Sequence, residues 1–205
     1  MIFIFTKPNF SRCEKLATEL LAKQTLYSSR IDVKTLAYDK NIIFDSIQNY
    51  CQLTNANLNE FTGENQLLSE GCFIKHGDVY VVLYNAKAQS LEHLNWTLAH
   101  EIGHIYMGHI KDSAIEEIEA HFFAAQLLMP QYTIYKMFEL GSVTPEDIYM
   151  LFNVSPIAAN KRLNTLKRKF TINCTDADKK IYEMMRYAVE DYYDNYHNSF
   201  HSVST

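Results

Sequence analysis

His100-Glu101-Ile102-Gly103-His104 is an H-E-x-x-H pattern lying inside a stretch, Ser90 to Gly108, that reads as one amphipathic helix. On a helix the two histidines fall about 40° apart and one turn apart in height, so both imidazoles reach a single metal ion. Glu101 lies about 100° round from His100, near enough to touch a water on that ion. Two nitrogen ligands with a carboxylate placed as general base are the parts of a zinc-dependent hydrolase.

The surroundings give the pattern its weight. Ser90 suits the N-cap, Glu92 puts an anion in the first turn where the helix dipole favours it, and Gly108 suits the end. Between them Leu91, Leu94, Leu98, Ile102 and Ile105 recur at steps of three and four, which predicts one buried stripe with His100, Glu101 and His104 beside it. His93 is seven residues before His100, about 10.5 Å away by helical rise and too far to share the metal. It reads as a groove or surface histidine.

A catalytic zinc needs a third protein ligand and an open position for water. The segment from Glu116 to Pro130 predicts a second helix that stops at or before its proline, and three glutamates on it compete for the role. Glu119 has Ile115, Phe122 and Phe123 as its helical neighbours, so its carboxylate points into an apolar face, where burial is costly unless a cation meets it. Glu117 neighbours Ser113, Ala114, Ala120 and His121, a face suited to solvent, and Glu116 lies between the two in a supporting position. The burial argument selects Glu119. Ala120, Ala124 and Ala125 are small enough to let this helix approach its neighbour closely.

These residues carry a family resemblance. His100 to His104 with Gly108-His109 beyond it, then Glu119-Ala120-x-x-Phe123-Ala124-Ala125-x-Leu127-Leu128-Met129-Pro130, resembles the signature of the ImmA/IrrE metallopeptidases, most densely over residues 71 to 130. In that family the glutamate directly before the alanine is the third zinc ligand, which the resemblance carries onto Glu119. One departure is His121, where the family more often has asparagine; it projects about 200° from Glu119 and is expected outside the ligand set.

The composition agrees with a folded protein. Of 205 residues, 47% are hydrophobic and 21% charged, and the net charge is -5. Four cysteines at 13, 51, 72 and 174 show no C-x-x-C spacing and read as reduced thiols of a cytoplasmic protein. Met1 to Phe5 is apolar but is broken at once by Lys7, Pro8 and Asn9, too short for a signal sequence or a membrane span.

Outward from the metal helix, Ser11-x-x-Glu14 predicts a capping box opening a helix to about Tyr27 with Leu16, Leu20 and Leu21 inward. A second helix is predicted from Asn41 to Cys51, with Ile43, Ile47 and Tyr50 inward. Cys72-Phe73-Ile74, a turn at His76-Gly77-Asp78 and Val79 to Tyr84 form a predicted hairpin, and Val79–Tyr84 is the candidate edge strand for an extended peptide. After Pro130 the pattern is helical. Thr144-Pro145-Glu146-Asp147 starts one helix that ends near Phe152-Asn153, and Ser155-Pro156 starts another with Ala159, Leu163, Leu166 and Phe170 on one face. Lys161, Arg162, Lys167, Arg168 and Lys169 make the second basic and raise the possibility of DNA contact, which the net negative charge opposes. A last helix from about Asp176 places Ile181, Met184, Met185, Ala188, Val189 and Tyr192 on one stripe, with fraying after Tyr196.

The expectation is therefore an α+β, mostly helical zincin-like metallopeptidase domain over 1–140 with a small sheet beside the H-E-x-x-H helix. A helical region over 141–205 follows it, helix-turn-helix-like across 144–170. One Zn2+ is held by His100, His104 and Glu119, with Glu101 as general base; Tyr106, His109, Tyr132 and Tyr135 are unranked candidates for an additional oxyanion donor. The resemblance implies a regulatory protease that cleaves a specific protein, such as a transcriptional repressor. The rival is a non-proteolytic regulator acting on a repressor or DNA through its helical C-terminal part.

Overall fold

In a computed structural model the described residues are 7–62, 68–87, 90–110, 113–168 and 174–197. They form a mostly helical α+β fold with one small mixed sheet. The chain divides into two compact units that interleave in sequence: Met1–Cys13 with Asp32–Ala124, and Glu14–Ile31 with Ala125–Thr205. The divide falls inside helices α1 (Phe10–Ala22) and α4 (Ala114–Leu128).

The first unit is built on the sheet. Strands β1 (Asn41–Ser46), β2 (Gly71–His76) and β3 (Val79–Tyr84) lie in the order β1-β3-β2. The β2–β3 hairpin turns at Gly77, whose φ of +59° belongs to the left-handed region that glycine enters without strain. Strand β1 pairs parallel to β3, Asn41 opposite Val79 through Ser46 opposite Tyr84. This corrects the helix expected over Asn41 to Cys51. Ile42-Ile43-Phe44 is a β-prone run that finds a partner in β3, and Ile43 ends up exposed. Helix α2 (Ile47–Thr54) begins only where the Ser46 hydroxyl caps the Asn49 N–H. It also corrects the expected edge: β3 is central, with Val82 and Leu83 fully buried, and β2 is an edge of the sheet among the described residues.

Helix α3 (Leu91–Met107) packs on β2 and β3. Its limits are those the sequence predicts: the Ser90 side chain accepts from the His93 N–H, and Gly108 closes the end at φ +73°. Leu98, Ile102 and Ile105 are buried, while Leu91, the first residue of the predicted stripe, is exposed because it precedes the part of the helix that lies on the sheet. Helix α1 starts one residue before the predicted capping box. Asn9 takes the cap, accepting from the Arg12 N–H, which leaves Ser11 inside the first turn and exposed.

The second unit is helical: α5 (Gln131–Leu140), α6 (Pro145–Phe152), α7 (Pro156–Lys167) and α8 (Asp176–Tyr192). The helix starts predicted at Thr144 and Ser155 form, the first through a Thr144–Asp147 capping box, and Asn153 in the left-handed conformation makes the short join between α6 and α7. Ile148, Leu151, Leu163, Leu166, Ile181, Met185 and Val189 supply its core. Phe170, Lys169 and the residues beyond His197 lie outside the described residues. Among the described residues, no helix is long and apolar enough to cross a membrane.

Candidate metal centre

Two close approaches of backbone assemble the site. A Cβ on Gly103, within the H-E-x-x-H pattern, would meet the Ala120 carbonyl oxygen at 3.0 Å and its Cα at 3.1 Å, so α3 and α4 touch there almost backbone to backbone. The small residues predicted to allow this do so at Ala120. On the other flank, a Cβ on Gly71 would lie 2.5 Å from Thr97 Cγ2 and 3.5 Å from Glu101 Cγ, so the start of β2 rests directly on α3. Between these contacts opens a cleft of about 590 Å³, lined by Glu70, Gly71, Cys72, Phe73 and Trp96 as well as His100, Glu101, His104, Glu117 and His121.

His100 and His104 project from successive turns of α3 with their Nε2 atoms 3.0 Å apart. The Glu117 carboxylate, arriving from α4, lies 3.3 Å from each of those nitrogens, one oxygen to each. Ligand atoms held at about 2.0 to 2.2 Å round one tetrahedral ion are separated by roughly 3.3 Å. The three side chains are therefore spaced as a ligand set. Burial, with the neighbouring His121, His104 and His109, holds the His100 pKa down to about 3, so its imidazole is neutral and keeps a lone pair for a metal. Its Nδ1 is buried without a hydrogen-bond partner among the described residues. Donor chemistry, spacing and charge state all fit a zinc-type ion.

Glu119, expected as the third ligand, is elsewhere. It is buried, as the apolar neighbours predict, but its Oε2 accepts from His109 Nε2 at 2.8 Å and its Oε1 from the Asn9 backbone N–H at 2.6 Å. Glu117 is the glutamate of this helix that faces the two imidazoles. The two differ in surroundings: the carboxylate facing the cleft is half exposed, whereas the enclosed one is paired within the protein. The Glu117 side chain is 44% exposed and that of Glu119 10%. Glu116 takes neither role; it forms a reciprocal cap with Ser113 at the start of α4.

Glu101 is 8% exposed and contributes to the wall of the cleft. Its charge reaches Cys72 opposite, whose thiol is pushed up to about 12, chiefly by burial and secondly by Glu101. His121 is closer to the centre than expected. Its ring lies 4.4 Å from that of His100 and stacks beside Trp96, and ligand atoms of His100, Glu117 and His121 lie within 4.8 Å of one another. That set shares His100 and Glu117 with the His100–His104–Glu117 group. His121 has a local signal the sequence reading discounted, its place four residues after Glu117 on the same helix face.

Of the unranked oxyanion candidates, Tyr106 donates to Asp39 at 2.7 Å, and His109 is held between His104 and Glu119. Tyr135 donates to the Leu166 carbonyl, and the Tyr132 ring packs edge-on against Tyr182. His93 pairs with Glu70 at 3.1 Å.

A histidine pair one turn apart, a carboxylate from the next helix and a buried glutamate between the histidines, all on one cleft beside a sheet edge, define the class of metallopeptidases. Residues 50–164 match the IrrE N-terminal-like domain, Peptidase_M78, and the chain belongs to that family. No curated protein matches it.

Proposed function

We propose that this metallopeptidase uses zinc, held by His100, His104 and Glu117, with Glu101 as the general base. The observation that carries the reading is the convergence of the three side chains: the two histidine Nε2 atoms lie 3.0 Å apart, and each lies 3.3 Å from one oxygen of the Glu117 carboxylate. A zinc ion there supplies a Lewis acid that brings the pKa of a water toward about 7 and shares charge developing on a carbonyl oxygen. Glu101, enclosed by Gly71 and Thr97, takes the proton of the attacking water and returns it to the departing amine.

The substrate is a peptide in extended form. Strand β2 brings Gly71-Cys72-Phe73 along the same cleft as Glu101, and its sheet position suits addition of a further strand through main-chain hydrogen bonds. Trp96, beside His121, gives the cleft an apolar wall. The resemblance of the motifs adds that the substrate is a specific protein, such as a transcriptional repressor, cleaved inside the cell.

Two variants test the reading together. Glu101→Gln retains one equivalent of zinc by elemental analysis yet generates none of the new protein N-termini that the wild-type chain produces in a cell extract, a loss of about 10²- to 10⁴-fold. Glu117→Ala loses the zinc. Undiminished cleavage by Glu101→Gln, or full zinc in Glu117→Ala, refutes the assignment.

A further inference from the structure

His104 differs from His100 in what stands behind it. Whereas His100 Nδ1 has no partner among the described residues, His104 Nδ1 lies 3.0 Å from His109 Nδ1, His109 Nε2 lies 2.8 Å from Glu119 Oε2, and Glu119 Oε1 accepts from the Asn9 N–H at 2.6 Å. We propose that His109 and Glu119 are positioning residues for His104, fixing the tautomer that presents its Nε2 lone pair to the metal; the proposal rests on the zinc reading above.

The direction of the chain follows from counting donors. A carboxylate only accepts, so His109 Nε2 carries the hydrogen. In the Nε2–H tautomer the His109 Nδ1 is bare and accepts from His104 Nδ1. His104 in turn has its hydrogen on Nδ1 and its lone pair on Nε2, the atom beside His100 and Glu117. The charge of Glu119 thus orders two imidazoles in series. Both side chains of the pair are enclosed, His109 at 6% and Glu119 at 10% exposure, so water does not compete for these bonds.

The turn that ends α3 is what brings His109 there. Gly108 at φ +73° lets the N–H groups of both Gly108 and His109 close on the His104 carbonyl oxygen, folding the chain back over the last helical turn. The fixed backbone sets His109 against the ring five residues earlier. Glu119 is fixed from its other side by Asn9, the residue that caps α1.

The test uses the full chain and zinc itself. Affinity is measured by competition with a chromogenic chelator, and the ring nitrogens of the zinc-loaded protein are followed by ¹⁵N-edited NMR. Glu119→Gln, which keeps the shape but not the charge, and His109→Ala each weaken zinc by about 10- to 100-fold. In both, the Nδ1–H signal of His104 shifts or is lost. His93→Ala leaves affinity and signal unchanged. Thermal unfolding of the zinc-free variants separates a folding defect from a site defect, and the isosteric Glu119→Gln serves if His109→Ala does not fold.

Unchanged affinity and an unchanged His104 signal in folded Glu119→Gln overturn the proposal. Loss of zinc in Glu119→Ala as complete as in Glu117→Ala also overturns it, by making Glu119 a ligand. A wild-type chain that binds no zinc, or a Glu117→Ala that binds it normally, overturns the underlying metal assignment and the relay with it.

Discussion

Each unit carries a buried polar cluster, and the two are built to different ends. In the second unit Arg162, 3% exposed, donates through Nε to the Met129 carbonyl at 3.0 Å and through Nη2 to Gln126 Oε1. Gln126 donates in turn to Thr18, and Gln131 to Glu14. Donors there meet acceptors, and the cation sits at the carboxyl end of α4, where the peptide carbonyls favour it. The metal-centre cluster is the reverse. It has a His100 Nδ1 without a partner among the described residues, two imidazoles and a carboxylate converging on one point, and one wall open to solvent. The first cluster is enclosed and joins elements of the fold; the second faces a cleft with its nitrogen and oxygen atoms turned toward one point.

Removing the guanidinium is the harshest way to break this contrast. Arg162→Ala strands the Met129 carbonyl, removes a donor from Gln126 and leaves a cavity, so chemical denaturation shows a loss of about 3 to 5 kcal/mol. Zinc affinity of whatever remains folded does not change. If zinc affinity falls in parallel, the two clusters are not separate in function.

Gly103→Ala probes the other side. The added methyl must push α3 from α4 at Ala120, costing about 1 to 3 kcal/mol in urea unfolding. Unlike Arg162→Ala, it weakens zinc binding, since His100 and His104 move relative to Glu117. Retained affinity in Gly103→Ala contradicts a site that depends on this contact.

Acidification sharpens the comparison further. Burial and the neighbouring imidazoles hold the folded His100 pKa down to about 3, below the value of about 6.5 for a histidine in the unfolded chain, so the unfolded state takes the proton first. The stability attached to this group is fully present above about pH 6.5 and is lost as pH falls toward 3, at no more than roughly 1.4 kcal/mol per pH unit. Zinc-free wild type therefore loses stability between pH 6.5 and 5 more steeply than His100→Asn does, as urea titrations at the two pH values measure. Equal slopes place the acid sensitivity elsewhere.

The smallest expected effect concerns thiols. With its pKa pushed up to about 12 by burial and then by Glu101, Cys72 alkylates far more slowly at pH 8 than the exposed Cys174. Glu101→Gln speeds Cys72 modestly and leaves Cys174 alone, as mass spectrometry of the labelled peptides reports. No change at Cys72 would mean that the Glu101 charge does not reach across the cleft.

Much of the fold was legible where local rules act alone. Ser90, Gly108, Thr144, Asn153 and Ser155 end or begin helices through hydrogen bonds within a few residues, and each does so as read. Asn41–Ser46 was misread because an isolated apolar run has no period to distinguish strand from helix, and its partner β3 lies 38 residues away. The same long-range pairing moved β3 from edge to centre and made β2 the strand along the cleft. Arg162, counted with the basic residues of α7, turned inward because the end of α4 offered it a carbonyl.

Sequence by itself determined the histidine pair and Glu101. Residues one and four apart on a helix have fixed relative directions, whatever the helix packs against. Tertiary structure alone decided which of Glu117 and Glu119 faces the two imidazoles. They project about 200° apart on α4, and that helix, with Ala120, Phe123, Ala124, Leu127 and Leu128 all buried, is apolar over too much of its surface for periodicity to fix its rotation. The rotation was set by the contact of Gly103 with Ala120 and by the enclosure of Glu119 between His109 and Asn9, leaving Glu117 to face the two imidazoles.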